Sequence, residues 1–307
     1  MNTSTHRRIA VIGLGSMGGA MAATLHSAGW EVTGFDPSEA ARNAAAAAGI
    51  ATAASIGDLA GTPYAVLSLP AAAVVEATVP QLLAAPGTIA IIDTTTSEPA
   101  TSKQMAELAE AQGTAFVDAP VSGGRDGAAT GTLSAFVGAT DNALAAAEPV
   151  LRALTGGKYN HIGGPGSGNV VKLLNNVLAA ANLVSVGEAL GVAKAYGIDP
   201  AKAAASISEA SGGSKVSANM YPNWVLSGTH DSGFSLGLMA RDTALAVDVA
   251  AQIGENPALL TAVAGQWQEA LAALGPRADF TEIARTVAPA VTPAGAPATK
   301  NDTTAVA

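Results

Sequence analysis

Val11-Ile12-Gly13-Leu14-Gly15-Ser16-Met17-Gly18 is the stretch that decides the fold. Its last six residues spell G-x-G-x-x-G, a spacing that a chain with 34 glycines also produces by chance, so its weight comes from its flanks. Before it stands the β-branched run Ile9–Gly13; after it Met17–Ala28 has a helical pattern, ended by Gly29. A strand-like Glu31–Phe35 follows, and then Asp36, 18 positions after Gly18. In that order, backbone N–H groups and a helix dipole face a pyrophosphate, and a carboxylate accepts both ribose hydroxyls. Gly13, Leu14, Gly15, Ser16, Met17, Gly18 and Asp36 are therefore the expected dinucleotide contacts; the plainer reading is a glycine turn with Asp36 capping the next helix. A carboxylate there repels a 2′-phosphate, and the nearest cation, Arg42, is better placed on the following helix than at the ribose, so NAD is favoured over NADP.

The alternation continues outward. Glu39–Ala48 is an Ala-rich helix closed by Gly49; Tyr64–Leu69, Thr88–Asp93 and Ala115–Asp118 read as buried strands. Ser102–Ala111 is a helix ended by Gly113, Leu133–Gly138 a further strand and Ala143–Leu154 a further helix. Strands separated by helices of this length predict an α/β fold with a parallel, doubly wound sheet. After Gly163-Gly164-Pro165-Gly166-Ser167-Gly168 the texture changes to a helical pattern from Asn169 to Tyr196, roughly 40 Å at ~1.5 Å per residue. Pro200–Ser211, Asp242–Ile253, Pro257–Ala273 and Phe280–Val287 are helical, and nothing beyond Leu154 alternates as a strand. The expected division is a dinucleotide-binding domain at 1–164, an all-α domain at 165–288 opened by a domain-joining helix, and a flexible tail at 289–307.

A length of 307 residues exceeds the ~250–300 at which single cores stop growing, which also favours two domains. Fifteen Lys+Arg against 24 Asp+Glu give a net charge of −9, which offers no footprint for nucleic acid or an anionic membrane surface. Cysteine is absent, which excludes disulfides, thiolate nucleophiles and Cys-ligated metals. His6, His26, His161 and His230 have no second histidine at ligand spacing, so no metal is expected. The run Ile9–Ile12 is far shorter than a signal-peptide core. Leu173–Gly187, with Asn175, Asn176, Asn182 and Ser185, reads as too short and too polar for a membrane span. A cytoplasmic protein is expected.

Further segments accumulate in order: Leu69-Pro70; Asp93-Thr94-Thr95-Thr96 ahead of Pro99; Asp118-Ala119-Pro120-Val121-Ser122-Gly123-Gly124; and Gly166-Ser167-Gly168-Asn169-Val170-Val171-Lys172-Leu173-Leu174-Asn175-Asn176. With the glycine turn they make the chain, over roughly residues 8–287, resemble the β-hydroxyacid dehydrogenase family, which includes 3-hydroxyisobutyrate dehydrogenase and tartronate semialdehyde reductase. The resemblance implies a Rossmann domain, an all-α C-terminal domain, an active site in the cleft between them and a small carboxylate-bearing substrate. It also implies a homodimer or homotetramer built through the helical domain. Lys172 is similar to the family's catalytic lysine and Asn176 to the asparagine one turn later that helps position substrate. Ser122, Gly123 and Gly124 resemble the substrate loop, and Leu69, Pro70, Val74 and Thr96 fall where the family contacts the dinucleotide. Where the family has Lys-Asp, this chain has Arg241-Asp242; Arg241 keeps the charge of that cofactor contact but not the compact ammonium.

Elementary chemistry points the same way. Oxidising an alcohol needs a hydride acceptor and a base for the hydroxyl proton, and reduction needs the same group as an acid. Lys172 sits among Val170, Val171, Leu173 and Leu174, and the positions four away, Gly168 and Asn176, carry no carboxylate. Partial desolvation is thus expected to lower its pKa toward neutrality; the alternative is a snorkelling surface lysine. Asn176, at i+4, shares its helix face and orients lysine or substrate, or else bonds neighbouring backbone. Ser122-Gly123-Gly124 leaves N–H groups clear for a carboxylate, or is a plain turn. Asp118, Asp126 and Glu188 read as cap or surface residues, and Trp224 and Trp267 as packing residues.

The expected function is NAD-dependent hydride transfer to or from a short 3-hydroxy acid of the 3-hydroxyisobutyrate type, or its semialdehyde, with a lysine as general acid/base. A reductase of a related small aldehyde, tartronate semialdehyde or sulfolactaldehyde, fits the same residues. A non-catalytic NAD-binding sensor would keep the glycines and Asp36 but has no use for Lys172, Asn176 and the Ser122–Gly124 loop together. The lysine argues against an imine reductase, and the length of the helical region against a 6-phosphogluconate dehydrogenase.

Overall fold

The computed structural model describes residues 7–59, 62–84 and 87–292. His6 and the part of the expected tail from residue 293 onward lie outside the described residues. The chain divides into two compact units, the first ending at Lys172 and the second beginning at Leu173. This division falls eight residues after the expected one at 164/165, inside a helix whose first turn belongs to the first unit.

The first unit runs β1 (Arg8–Ile12), α1 (Ser16–Ser27), β2 (Glu31–Phe35), α2 (Glu39–Ala47), β3 (Ala51–Thr52), β4 (Tyr64–Leu67), α3 (Ala72–Leu83), β5 (Ala90–Asp93) and α4 (Pro99–Glu110). It continues with β6 (Ala115–Asp118), β7 (Val121–Ser122), α5 (Gly124–Thr130), β8 (Ser134–Gly138), α6 (Asp141–Thr155) and β9 (Tyr159–Gly163). The sheet order is β3-β2-β1-β4-β5-β6-β8-β7, with β9 on β8. Strands β1 to β6 are parallel, and β8 turns antiparallel to β6. Helices cover both faces, so the inner strands are apolar throughout rather than alternating. Ile9 and Val11 pack with Met21, Leu25 and Leu151 on one face, while Ala10 and Ile12 pack with Val75, Val79 and Met105 on the other.

One consequence of the parallel register positions the site. Phe35, Ile12, Leu67, Asp93 and Asp118, each the last residue of its strand, stand in one row across the sheet. The segments that follow them all emerge at that edge, where open α/β sheets bind ligands.

Helix α7 (Ser167–Ala195) is continuous across the division. The second unit then holds α8 (Pro200–Ser208), a π-helical segment Val216–Val225, α9 (Leu236–Gln252), α10 (Ala258–Leu274), a 3₁₀ turn Phe280–Ile283 and α11 (Ala284–Val287). Trp267, fully buried, stacks on Phe280 with ring centroids 6.4 Å apart, and the buried Tyr221 donates its hydroxyl proton to the Leu183 carbonyl at 2.7 Å. Trp267 is a packing residue, as expected; Trp224 is half-buried.

Two expectations need correction. Strand β9 lies beyond Leu154; its residues Tyr-Asn-His-Ile-Gly are mostly exposed at the sheet edge, so no apolar period marks it. Helix α7 is longer than the uncharged stretch inside it: at 29 residues it is long and apolar enough, by length and composition, to cross a membrane, and half of its most apolar window is packed inside the fold. Helix α3 was hidden by β-branched Val74, Val75, Thr78 and Val79 and by Pro80 within it.

Candidate active site

The three glycines of the first turn are needed for three different reasons. Gly13 has φ +90°, and a Cβ on it would lie 2.2 Å from the Ser68 carbonyl oxygen; one on Gly18 would lie 1.8 Å from the Gly13 carbonyl oxygen. The first therefore makes the turn and the last lets α1 close onto β1. Gly15 is different, because a Cβ there meets nothing within 4 Å. It caps α1 with no side-chain hydrogen bond and no acid in the first turn, so the helix N-terminus faces open space bare of side chains. Those features fit a pyrophosphate.

Asp36 follows β2 and is held on both oxygens: Oδ2 accepts from the Leu14 N–H and Oδ1 from the Ser38 N–H, each at 2.8 Å. A carboxylate has lone pairs for about four bonds, so two ribose hydroxyls can still be accepted. Asp36 thus ties the glycine turn to β2, and it leaves capping of α2 to Ser38, whose Oγ accepts from Ala41. Arg42 belongs to α2, as expected, but its guanidinium reaches back and donates to the Asp36 and Pro37 carbonyls at 2.6 and 3.1 Å.

The loops after β4 and β5 are joined to each other. Thr95 Oγ1 accepts from the Leu69 N–H at 3.1 Å, and Thr94 Oγ1 donates to the Leu67 carbonyl at 2.6 Å. Thr95 and Thr94 are buried, which leaves Leu69 and Thr96 half-buried and Pro70 and Val74 exposed beside them. After β7, Gly123 and Gly124 both have positive φ, +122° and +62°, and both are exposed, with Ser122 half-buried before them. The structure thus gathers Gly13–Gly18, Asp36, Leu69, Thr96 and the Ser122–Gly124 loop around the ends of strands of one sheet.

Asp118 is a cap, as expected, yet a fully buried one. Its Oδ1 accepts from the Gly166 N–H at 2.7 Å and its Oδ2 from the Asn169 N–H at 3.0 Å, both at the start of α7. Asp93 is its direct neighbour in the parallel ladder, also fully buried, with Oδ1 accepting from Thr95 and Oδ2 lacking a hydrogen-bond partner. Burial raises both carboxyls to about 7, opposed in Asp118 by the two helix N–H groups. The N–H groups that each carboxylate accepts, two in Asp118 and the Thr95 N–H in Asp93, favour the charged form and so work against burial.

The sign of the resulting pH dependence follows. Unfolded aspartate ionises near ~3.9, so the folded state binds extra protons up to about 7; the associated stability is full below the unfolded value and lost as pH rises through the folded one. Asp93→Asn, which keeps the shape and never ionises, should therefore melt increasingly above the wild type as pH rises from about 5 to about 8. Thermal denaturation across that range checks it; a difference that does not grow with pH contradicts it.

Lys172, three residues after Asn169, is only 9% exposed. Most of its stem is therefore packed inside the fold rather than lying on an open surface. Asn176 follows four residues on along α7; it is buried, and its Nδ2 donates to Asp242 Oδ2 at 2.7 Å while its Oδ1 accepts from Asn175 at 3.2 Å. Asp242 Oδ1 in turn accepts from Arg241 Nε and Nη2 at 3.0 and 2.7 Å. Asp242 thus fixes which way the Asn176 amide points, a role that the adjacent Arg241-Asp242 pair in the sequence did not disclose. Asn169, fully buried, was missed altogether.

A glycine turn fitted to a pyrophosphate, an acid after β2 tied to that turn and a buried lysine fit a nicotinamide-dependent oxidoreductase with a Rossmann domain and a helical domain. Residues 8–163 match the family model described as the NAD binding domain of 6-phosphogluconate dehydrogenase. Residues 166–287 match the one described as the NAD-binding of NADP-dependent 3-hydroxyisobutyrate dehydrogenase. The chain is 34% identical to 2-(hydroxymethyl)glutarate dehydrogenase of Eubacterium barkeri, over 87% of this chain and 90% of that one. It is 36% identical to NAD-dependent L-serine dehydrogenase of Pseudomonas aeruginosa, over 80% and 85%. Among solved structures, 3-hydroxyisobutyrate dehydrogenase of Mycobacterium tuberculosis with L-serine superposes with a TM-score of 0.84 at 32% identity, covering 92% of this chain and 99% of that one. The chain belongs to the β-hydroxyacid dehydrogenase family, and it is an NAD-dependent hydroxyacid dehydrogenase.

Proposed function

We propose that the substrate is a short 3-hydroxy acid whose hydroxyl stands on a primary carbon, HO–CH₂–CHX–COO⁻, oxidised to the semialdehyde OHC–CHX–COO⁻. The single observation that carries this reading is the burial of Lys172 at the start of α7 in a chain whose relatives are named for such substrates. 2-(Hydroxymethyl)glutarate, 3-hydroxyisobutyrate and L-serine share that hydroxymethyl carbon next to a carboxylate-bearing carbon and differ in X. Lys172 takes the hydroxyl proton on oxidation and returns it on reduction. NAD, which the Gly13–Gly18 turn and Asp36 would hold, would supply the hydride acceptor for the hydroxymethyl carbon. Asn176, held by Asp242, orients the hydroxyl; the N–H groups of Ser122, Gly123 and Gly124 bind the carboxylate; Arg241 serves the cofactor. Asp36 sets the preference for NAD over NADP.

We also infer a homodimer or homotetramer in the cytoplasm, without nucleic-acid or membrane partners. The large exposed apolar side chains of Leu174, Leu178 and Val192 on α7 support self-association.

The test is a panel of purified acids. With NAD, 3-hydroxyisobutyrate, L-serine and 2-(hydroxymethyl)glutarate are expected to give NADH, with kcat/KM ranking them by X. Turnover confined to acids with a secondary 2-hydroxyl, such as lactate, would refute the substrate class.

A further inference from the structure

The first turn of α7 is pressed unusually deeply onto the sheet. A Cβ on Gly168 would lie 2.3 Å from the Phe136 carbonyl oxygen and 2.8 Å from Asp118 Oδ2. One on Gly166, where φ is +88°, would lie 2.7 Å from the Pro99 carbonyl oxygen, and one on Gly138 2.4 Å from Asp118 Oδ1. The glycine-rich segment before α7 therefore does not act as a loose hinge; it removes side chains so that helix and sheet edge meet.

Asn169 fastens that contact. Its N–H goes to Asp118, its Oδ1 accepts from the Ser97 N–H at 2.9 Å, and its Nδ2 donates to Ser102 Oγ at 3.0 Å and Ser97 Oγ at 3.4 Å. Ser97 follows the threonine loop after β5, and Ser102 lies in the first turn of α4. One buried amide thus joins three segments: the helix that carries Lys172, the loop expected to face the dinucleotide, and α4. Asn169 and Lys172 are neighbours on the helix surface, three residues apart.

We propose that Asn169, seated by Asp118, is a positioning residue for the reaction: it holds the first turn of α7, and so Lys172, in register with the 94–97 loop. The proposal rests on Lys172 being the general acid/base. A misplacement of about 1 Å in such a group can cost about 10²-fold in rate, and the amide fixes the helix start from both sides.

The test is a double-mutant cycle in the full-length enzyme with NAD and the best acid of the panel. Asn169→Ala should lower kcat roughly 10- to 10²-fold and leave the Kd for NAD within about threefold. In a Lys172→Ala background the same substitution should change kcat less than about twofold, because the group it positions is gone. Ser102→Ala, which removes a single bond to the amide and no apolar bulk, should give a several-fold loss of kcat that likewise disappears in that background; it serves if Asn169→Ala does not fold. Full additivity in either cycle, or unchanged kcat in both single variants, overturns the positioning role while leaving Lys172 in place. An unaffected Lys172→Ala enzyme overturns the lysine and the positioning role together.

Discussion

Replacing Lys172 by alanine is expected to lower kcat for oxidation by about 10²–10⁴-fold, the loss that follows removal of a positioned general acid/base, or about 3–5 kcal/mol of transition-state stabilisation. NAD binding, measured by titration, should stay within a few-fold of the wild type, since the glycine turn and Asp36 lie on other elements. Lys172→Arg should recover little, because a guanidinium cannot give up its proton near neutral pH. The burial of Lys172 makes the result discriminating: a surface lysine would tolerate either change. Turnover by Lys172→Ala within a few-fold of the wild type would remove the lysine from the chemistry.

Asp36→Ser should weaken NAD binding by roughly 10- to 10²-fold, the effect of losing one charged hydrogen-bonding partner at about 1.5–3 kcal/mol. The same change should narrow the advantage of NAD over NADP, because the repulsion toward a 2′-phosphate goes with the carboxylate. The guanidinium of Arg42, folded back onto the Asp36 and Pro37 carbonyls, leaves a cation on that turn when the carboxylate is removed. Parallel titrations with the two cofactors decide it; a wild type that prefers NADP, or a variant with an unchanged ratio, contradicts the assignment. Asp36 also holds the Leu14 and Ser38 N–H groups, so Asp36→Asn, which keeps one acceptor, separates cofactor loss from a disordered turn.

The parallel sheet was legible because its inner strands are covered on both faces and therefore read as short apolar runs between helices. The glycine turn was legible through its flanks, a strand before it and a helix after it, and Gly13 and Gly18 are the two of its glycines that leave no room for a Cβ. What escaped was set by tertiary partners. Strand β9 has no apolar period because its faces are largely exposed at the edge, and α3 carries β-branched residues and a proline that packing overrides. Asp118 read as a cap or surface acid, and it is a cap, but nothing local tells that it is buried beside Asp93, 25 positions earlier in the chain. Asn169 and Asp242 stayed silent because their partners, Ser97 and Asn176, are 72 and 66 residues away. Asp242 had one available signal, its place beside Arg241 where the family has Lys-Asp; Asn169 had its place three residues before the lysine.

Hydride transfer from the hydroxymethyl carbon is open to direct measurement. 3-Hydroxyisobutyrate carrying deuterium on that carbon, incubated with NAD and the wild-type enzyme, should yield semialdehyde and NADH bearing one deuterium, read by mass spectrometry of the recovered cofactor. Lys172→Ala should form the same labelled NADH at a rate lower by about 10²–10⁴-fold. Unlabelled NADH, or no NADH from any acid of the HO–CH₂–CHX–COO⁻ type, would contradict the proposed reaction.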